Sequence, residues 1–77
     1  MRFVDLGAGN LAAADRIICI AASDSSPIRR IMQDAKDRGV FVDCCAGKKC
    51  RSIIVTDSDH VIASSLLTED LRKELAE

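Results

Sequence analysis

The chain of 77 residues has no tryptophan, no tyrosine and only two phenylalanines, although 48% of its residues are hydrophobic. Its apolar side chains are therefore nearly all aliphatic. A domain of this size buries only about 60% of the surface that its unfolded chain exposes. Because so small a core cannot hide this many apolar residues, we expect another subunit to cover part of the apolar surface. The composition predicts a single domain over 1–77 and a homo-oligomer.

A strong excess of charge and long apolar segments are also missing. The net charge is −1 and the pI is about 5.7, which excludes a general attraction for nucleic acids or membranes and leaves only local clusters to bind a polyanion. The longest apolar run, Ile17 to Ala22, is far shorter than the roughly 20 residues of a membrane span. The first residues lack the basic and then apolar plan of a signal peptide. We expect a cytoplasmic protein with reduced cysteines and no membrane partner.

Motifs for catalysis or cofactor binding are scarce. Residues 7–12 formally match the dinucleotide fingerprint G-x-G-x-x-A, but this fingerprint has meaning only at the head of a long helix in a doubly wound sheet. The only histidine, His60, follows Asp57-Ser58-Asp59, which is typical of a β-turn whose side chains bond the backbone. No convincing pair of nucleophile and base is present. We expect no enzyme and no cofactor.

The apolar pattern predicts an α+β domain of about five mostly antiparallel strands and two helices. Ser26 and Pro27 are typical of a helix start and Gly39 of a helix end, and Thr68 is placed to cap a terminal helix. We expect segment 16–22, with Cys19, to be a buried central strand. We expect segments 40–45 and 50–56 to pair as a hairpin. The predicted order is β-β-α-β-β-β-α, with strands at 2–6, 16–22, 40–45, 50–56 and 60–64.

The segment from Asp43 to Arg51 concentrates the chemistry, because it carries three of the four cysteines and three positive charges in nine residues. Lys48, Lys49 and Arg51 lie at or beside the tip of the predicted hairpin. One interpretation is a basic turn that contacts an anionic partner. The plainer alternative is a solvated turn that discourages edge pairing. Arg16 and Arg29 are secondary candidates for the same surface if the first helix packs across the sheet.

The cysteines leave several alternatives open. In the predicted hairpin, Cys45 and Cys50 lie opposite each other with Cβ atoms roughly 4.5 to 5.5 Å apart, while Cys44 points to the other face. One face then offers two thiols, whereas a structural zinc site needs four ligands, and the chain has no C-x-x-C pair. The alternatives are a metal site shared between subunits, a redox-sensitive pair that the neighbouring lysines make reactive, and unliganded small side chains.

Several short motifs occur together in one order. They are Arg16-Ile17-Ile18, Ser26-Pro27-Ile28-Arg29-Arg30-Ile31, Arg38-Gly39, the turn Gly47-Lys48-Lys49-Cys50-Arg51 and Asp57-Ser58-Asp59-His60-Val61-Ile62. From Phe3 to about Ser65 the chain resembles the small bacterial RemA family of extracellular matrix regulatory proteins. The resemblance implies a nucleoid-associated transcriptional regulator, of the biofilm matrix type. It also implies closed homo-oligomeric rings that wrap or bend double-stranded DNA around basic loops on the rim.

Two departures from the family pattern affect this expectation. The family's turn usually carries two arginines and an aromatic residue before the glycine, whereas this chain has Lys48, Lys49 and Ala46. Lysine neutralises phosphate but lacks the bidentate fork of arginine. The family usually has small or hydroxyl residues where this chain has Cys44, Cys45 and Cys50. Two alternatives therefore stay open, namely a cysteine-based metal-binding or redox-sensing module, and a structural oligomer whose basic loops contact an acidic protein partner.

Overall fold

Six strands and two helices form the part of the chain that the structure describes, residues 2–75. In the computed structural model the strands are β1 (Phe3–Gly7), β2 (Asn10–Ala13), β3 (Ile17–Ala22), β4 (Phe41–Asp43), β5 (Ser52–Thr56) and β6 (Val61–Ser64). The helices are α1 (Ser26–Arg38) and α2 (Thr68–Leu75), and a short 3₁₀ turn covers Ala14–Arg16. The predicted α+β class with two helices is confirmed. Within residues 2–75 no helix has the length and apolar composition to cross a bilayer.

The first two strands form a separate antiparallel hairpin. Its tip is Ala8 and Gly9, which both have positive φ angles, 54° and 80°, as a type I′ turn requires. The glycine-rich segment is therefore a turn between strands and does not start a helix. The sequence did not predict β2, because its short, alanine-rich segment has a weak preference for strands.

The other four strands form one sheet in the order β3-β5-β6-β4. Strand β5 is antiparallel to both β3 and β6, whereas β4 pairs with β6 in parallel. The predicted hairpin between segments 40–45 and 50–56 is therefore wrong. The tight turn after β5 makes β6 its neighbour, and β6 has buried side chains that suit a central strand. Only three residues long and largely exposed, β4 is left at the edge.

Strand β3 lies at the opposite edge of the sheet, so the prediction of a buried central strand is wrong. Its pairing with β5 shifts between Ile17 and Cys19, which leaves Ile18 as the extra residue of a β-bulge. The side chain of Ile18 is 67% exposed, and Cys19 is also exposed. The apolar run showed that residues 17–22 prefer a strand, but it carried no information on what covers them.

The sheet has one apolar cluster on each face. Helix α1 covers the first face, where Ala35 packs with Cys45 and Ile53. The hairpin β1–β2 and α2 cover the second, where Val4, Leu6, Ile54 and Leu71 pack with Cys44. Adjacent residues 44 and 45 thus point to opposite faces, as the alternation of side chains predicts.

The predicted signals mark the ends of α1 well. The helix begins at Ser26, with Ser25 as its N-cap and Pro27 in its first turn, one residue earlier than expected. It ends before Gly39, which has a φ of 74° and donates its N–H to the carbonyl of Lys36 at 3.2 Å. This left-handed residue is a common helix terminator because glycine has no Cβ to clash.

Two buried serines fasten one end of the sheet. The hydroxyl of Ser64 donates to the carbonyl of Leu6 at 2.8 Å and accepts the N–H of Leu66 at 3.1 Å. The hydroxyl of Ser52 donates to the carbonyl of Leu66. These bonds tie the end of β6 and the start of β5 to β1 and to the segment that leads into α2.

Candidate nucleic-acid interface

The sheet topology gathers several chain segments at one end of the domain. Ala22 pairs with Ser52, Ser52 pairs with Ser64, and Asp43 pairs with Ala63. The ends of β3, β4 and β6 and the start of β5 therefore meet there, together with the first turn of α1. The exposed basic side chains at this end define what we term the basic pole, namely Arg29, Arg30, Lys48, Lys49 and Arg51.

Residues 44–51, the basic loop, connect β4 to β5 across the end of β6. The N–H of Cys44 donates to the carbonyl of Ala63 at 2.9 Å as the loop begins, and the N–H of Arg51 donates to the carbonyl of Ser64 at 2.9 Å as it ends. Between these anchors, Ala46 and Gly47 have positive φ angles and form a tight turn. The loop is therefore a strand crossover with a turn at its tip, and this turn presents Lys48 to solvent.

Ser23 holds the end of the basic loop in place. Its N–H donates to the carbonyl of Arg51 at 3.2 Å, and its hydroxyl donates to the carbonyl of Cys50 at 2.9 Å. Lys49 and Arg51 line a shallow depression of about 180 Å³ beside these bonds. Sequence reasoning missed Ser23 because its only signal was a place in the polar run that precedes α1.

The side chains of the basic pole form no ion pairs among the described residues. Within residues 2–75 the ion pairs involve Arg16 and Arg38, and none involves the five side chains of the basic pole. Two nearby carboxylates accept hydrogen bonds from backbone N–H groups. Asp43 accepts the N–H of Cys45, and Asp70 accepts the N–H of Leu67. Asp24 lines the same depression as Lys49 and Arg51. These carboxylates lower the net positive charge at this end, but within residues 2–75 none of them forms an ion pair with a side chain of the basic pole.

Arg16 lies at the other end of the sheet. Its Nε donates to Asp57 at 2.8 Å, and Asp57 and Arg51 flank β5, so the two arginines are separated by roughly 20 Å. At the same end, hydrogen bonding from Arg38 and its positive charge hold the pKa of the Asp59 carboxyl below its usual value. The structure thus brings Arg29 together with the basic loop and separates Arg16 from it.

The segment after β5 is a β-turn, as predicted, but within residues 2–75 its aspartate and serine side chains bond other side chains and not the backbone. Asp59 has a φ of 68°, and its N–H donates to the carbonyl of Thr56 at 3.2 Å. The hydroxyl of Ser58 lies 2.8 Å from Nδ1 of His60. These contacts are those of a side-chain-supported β-turn.

A family model described as RemA-like, extracellular matrix regulatory protein A-like, matches residues 3–75. The chain belongs to the RemA-like family. It is 48% identical over 75 residues to a "Putative regulatory protein" of Geobacillus thermodenitrificans, with 97% of this chain and 86% of the relative covered. A protein of the same name from Clostridium botulinum is 41% identical over 76 residues, with 99% of this chain and 84% of the relative covered.

The RemA-like chain carries two thiols in one apolar cluster at the base of its basic loop. Cys45 is buried, and the half-buried Cys50 packs against the same cluster. Burial, the Asp43 carboxylate and Cys50 together raise the pKa of Cys45 to about 12. The two cysteines do not face each other across a hairpin as predicted, because β4 pairs with β6, but the crossover still brings both into one apolar cluster. On the other face, burial and the nearby Asp43 raise the pKa of Cys44.

A metal site would need more ligands than this pair provides. Among residues 2–75, no three side chains of His, Cys, Asp or Glu come together in a group that could hold a metal ion. A metal-binding alternative would therefore require ligands from a second subunit.

The RemA-like subunit also exposes apolar side chains away from the basic pole. The outer face of the hairpin β1–β2 carries Phe3 and Leu11, which are 57% and 64% exposed. A groove of about 510 Å³ runs between β3 and α2 and is lined by Ile18 and Cys19 on one side and by Thr68, Arg72 and Leu75 on the other. These are two different apolar surfaces on one subunit.

Proposed function

We propose that this RemA-like protein is a cytoplasmic, nucleoid-associated transcriptional regulator that binds double-stranded DNA and has no enzymatic activity of its own. The observation that carries the proposal is the basic pole, where five exposed basic side chains lie at one end of the domain without ion-pair partners among residues 2–75. The description of the family supports a role in controlling extracellular matrix genes.

Helix α1 adds to the positive potential of the basic pole. It has 13 residues, its first turn contains no acidic residue, and its N-cap Ser25 makes no side-chain capping bond. The N-terminus of a helix carries partial positive charge, which favours nearby phosphates. Arg29 and Arg30 lie near the start of this helix, at the same end of the sheet as the basic loop.

The mode of contact follows from the kinds of residue at the basic pole. The lysines of the basic loop act as point charges on phosphates, and α1 presents its end rather than its side at this pole. Contacts of this kind position a protein on the backbone, while sequence preference comes from DNA shape and deformability. We expect weak discrimination between base sequences and strong dependence on bendability.

A homo-oligomeric ring multiplies the basic pole. A closed ring uses two different surfaces of each subunit, and the β3 groove and the outer face of β1–β2 are two such surfaces. If about four subunits of a ring each neutralise one or two phosphates, the ring neutralises about four to eight. This number converts a weak contact into substantial affinity.

The ring is tested by the single change Ile18→Glu, which places a charge on the β3 edge. We expect monomers in analytical ultracentrifugation, because a carboxylate in an apolar interface is costly to desolvate. Ile31→Glu is the matched control, since Ile31 is also exposed but lies on α1. Retention of the oligomer by Ile18→Glu, or its loss in both variants, would contradict this interface.

DNA binding is tested by titrating fluorescent duplex DNA with the reduced protein at several salt concentrations. A plot of log affinity against log salt with a slope steeper than about −4 is expected when many phosphates are contacted together. A flat plot, or absence of binding, would overturn the proposal. Binding of an acidic protein in place of DNA would then be the function to test.

A further inference from the structure

The basic loop is bracketed by a thiol pair that the DNA-binding proposal does not use. Cys45 opens the turn that leads to Lys48, and Cys50 follows Lys49 directly. Both cysteines belong to the apolar cluster on the face of the sheet that α1 covers. A bond between them would close a ring of six residues with both lysines inside it.

The two cysteines differ in freedom to move and in access to solvent. Cys45 is only 4% exposed, packs among Ala35 and Ile53, and its N–H donates to Asp43 at 2.9 Å. Cys50 is half-buried, and its thiol makes one long contact of 3.5 Å with the carbonyl of Ser52. A reagent from solvent therefore reaches Cys50 first, and any approach of the two sulfurs moves Cys50 and not Cys45.

We propose that Cys45 and Cys50 are a modification site at which a peroxide forms an intramolecular disulfide across the basic loop. The Cys50 thiol loses its proton, its thiolate attacks one peroxide oxygen, and the O–O bond breaks. The hydroxide that leaves takes up that proton, so sulfenic acid and water are formed. The sulfur of Cys45 then attacks the Cys50 sulfur, the S–O bond breaks, and the hydroxyl leaves as water with the proton of Cys45. Two thiols lose two electrons, and one hydrogen peroxide becomes two waters.

The disulfide changes the surface that would meet DNA. An S–S bond is about 2.05 Å long, so Cys50 must be drawn towards Cys45 from its present contact with Ser52. Lys49 and Arg51, the neighbours of Cys50 in the chain, move with it. This consequence rests on the proposed DNA binding. Loss of a single phosphate contact lowers affinity about tenfold at 100 mM salt.

The site is tested by mass spectrometry of the Cys19→Ser protein after treatment with hydrogen peroxide, because this change removes the exposed thiol of β3. Trypsin cuts after Lys48 and Lys49, between the two cysteines. We expect the intact mass to fall by two hydrogens and the two tryptic peptides to stay linked until reduction. The link should vanish in Cys50→Ser and Cys45→Ser, with Cys45→Ala as a second variant should the serine not fold.

Cys44→Ser is the matched control, because Cys44 is adjacent in sequence but lies on the other face of the sheet. The link should persist in it. A link that survives Cys45→Ser, or three thiols that all remain open to alkylation after peroxide, would overturn the site. DNA affinity is then compared for the oxidised and reduced protein, and equal affinity would overturn the effect on DNA. Absence of DNA binding in both forms would refute the proposed function, while the mass result would still decide the disulfide.

Discussion

Replacement of both lysines of the basic loop, Lys48→Ala with Lys49→Ala, tests the assignment of the basic pole most directly. Both side chains are exposed, and neither forms an ion pair or a side-chain hydrogen bond within residues 2–75. Their removal leaves no buried group without a partner. We therefore expect the fold and the oligomer to be unchanged and only the charge to be lost.

The size of the effect follows from counterion release. Each phosphate contact contributes about −0.9 to the slope of log affinity against log salt on duplex DNA. If about four subunits in contact lose one phosphate each, the slope becomes shallower by about 4 and affinity at 100 mM salt falls roughly 4,000-fold. The assay is fluorescence anisotropy of labelled duplex DNA in reducing buffer at several salt concentrations.

The matched control is Lys36→Ala with Lys73→Ala, which removes the same charge from exposed positions in α1 and α2, outside the basic pole. Its salt slope should match that of the unmodified protein. An unchanged slope in the Lys48 and Lys49 variant, or an equal loss in the control, would refute the assignment. If the loop variant dissociates into monomers, the basic loop is an element of assembly and the interface lies elsewhere.

Two other predictions concern stability. Ser64→Ala should lower the free energy of unfolding by about 1 to 3 kcal/mol in urea titration, because the carbonyl of Leu6 and the N–H of Leu66 each lose a partner; an unchanged midpoint would show that they find other partners. The native pKa of Cys45, about 12, lies above the ordinary thiol value of 9.0, so its contribution to stability is complete below pH 9 and is lost as pH rises towards 12. In reducing buffer, stability should fall by at most about 1.4 kcal/mol per pH unit above pH 9, and Cys45→Ala should flatten this fall; identical pH profiles would contradict it.

The features that sequence predicted correctly depend on near neighbours in the chain. Pro27 and Gly39 mark α1 to within a residue, because helix ends are decided by local backbone preferences. The turn at Asp57-Ser58-Asp59 and the opposite orientation of Cys44 and Cys45 are local in the same sense.

The features that sequence missed depend on which strands meet. Nothing in residues 41–43 indicates that β6 rather than β5 is their partner, because hydrophobic alternation is the same in both pairings. The edge position of β3 could not be predicted either, because its apolar run does not indicate which strands lie beside it. The basic loop was recognised from its composition alone. Its position at the same end of the sheet as Arg29 depends on the crossover from β4 to β5, which no local pattern predicts.

The parallel pairing of β4 with β6 also determines when the basic loop can take shape. The neighbour of β4 in the sheet is a strand that follows β5 in the chain, so β4 has no place to dock until β5 and β6 have formed. Pairing of segments distant in the chain is slow because loop closure must precede it. During synthesis the basic pole is therefore among the last parts of the subunit to form, and an unfinished chain lacks the surface that we propose for DNA binding.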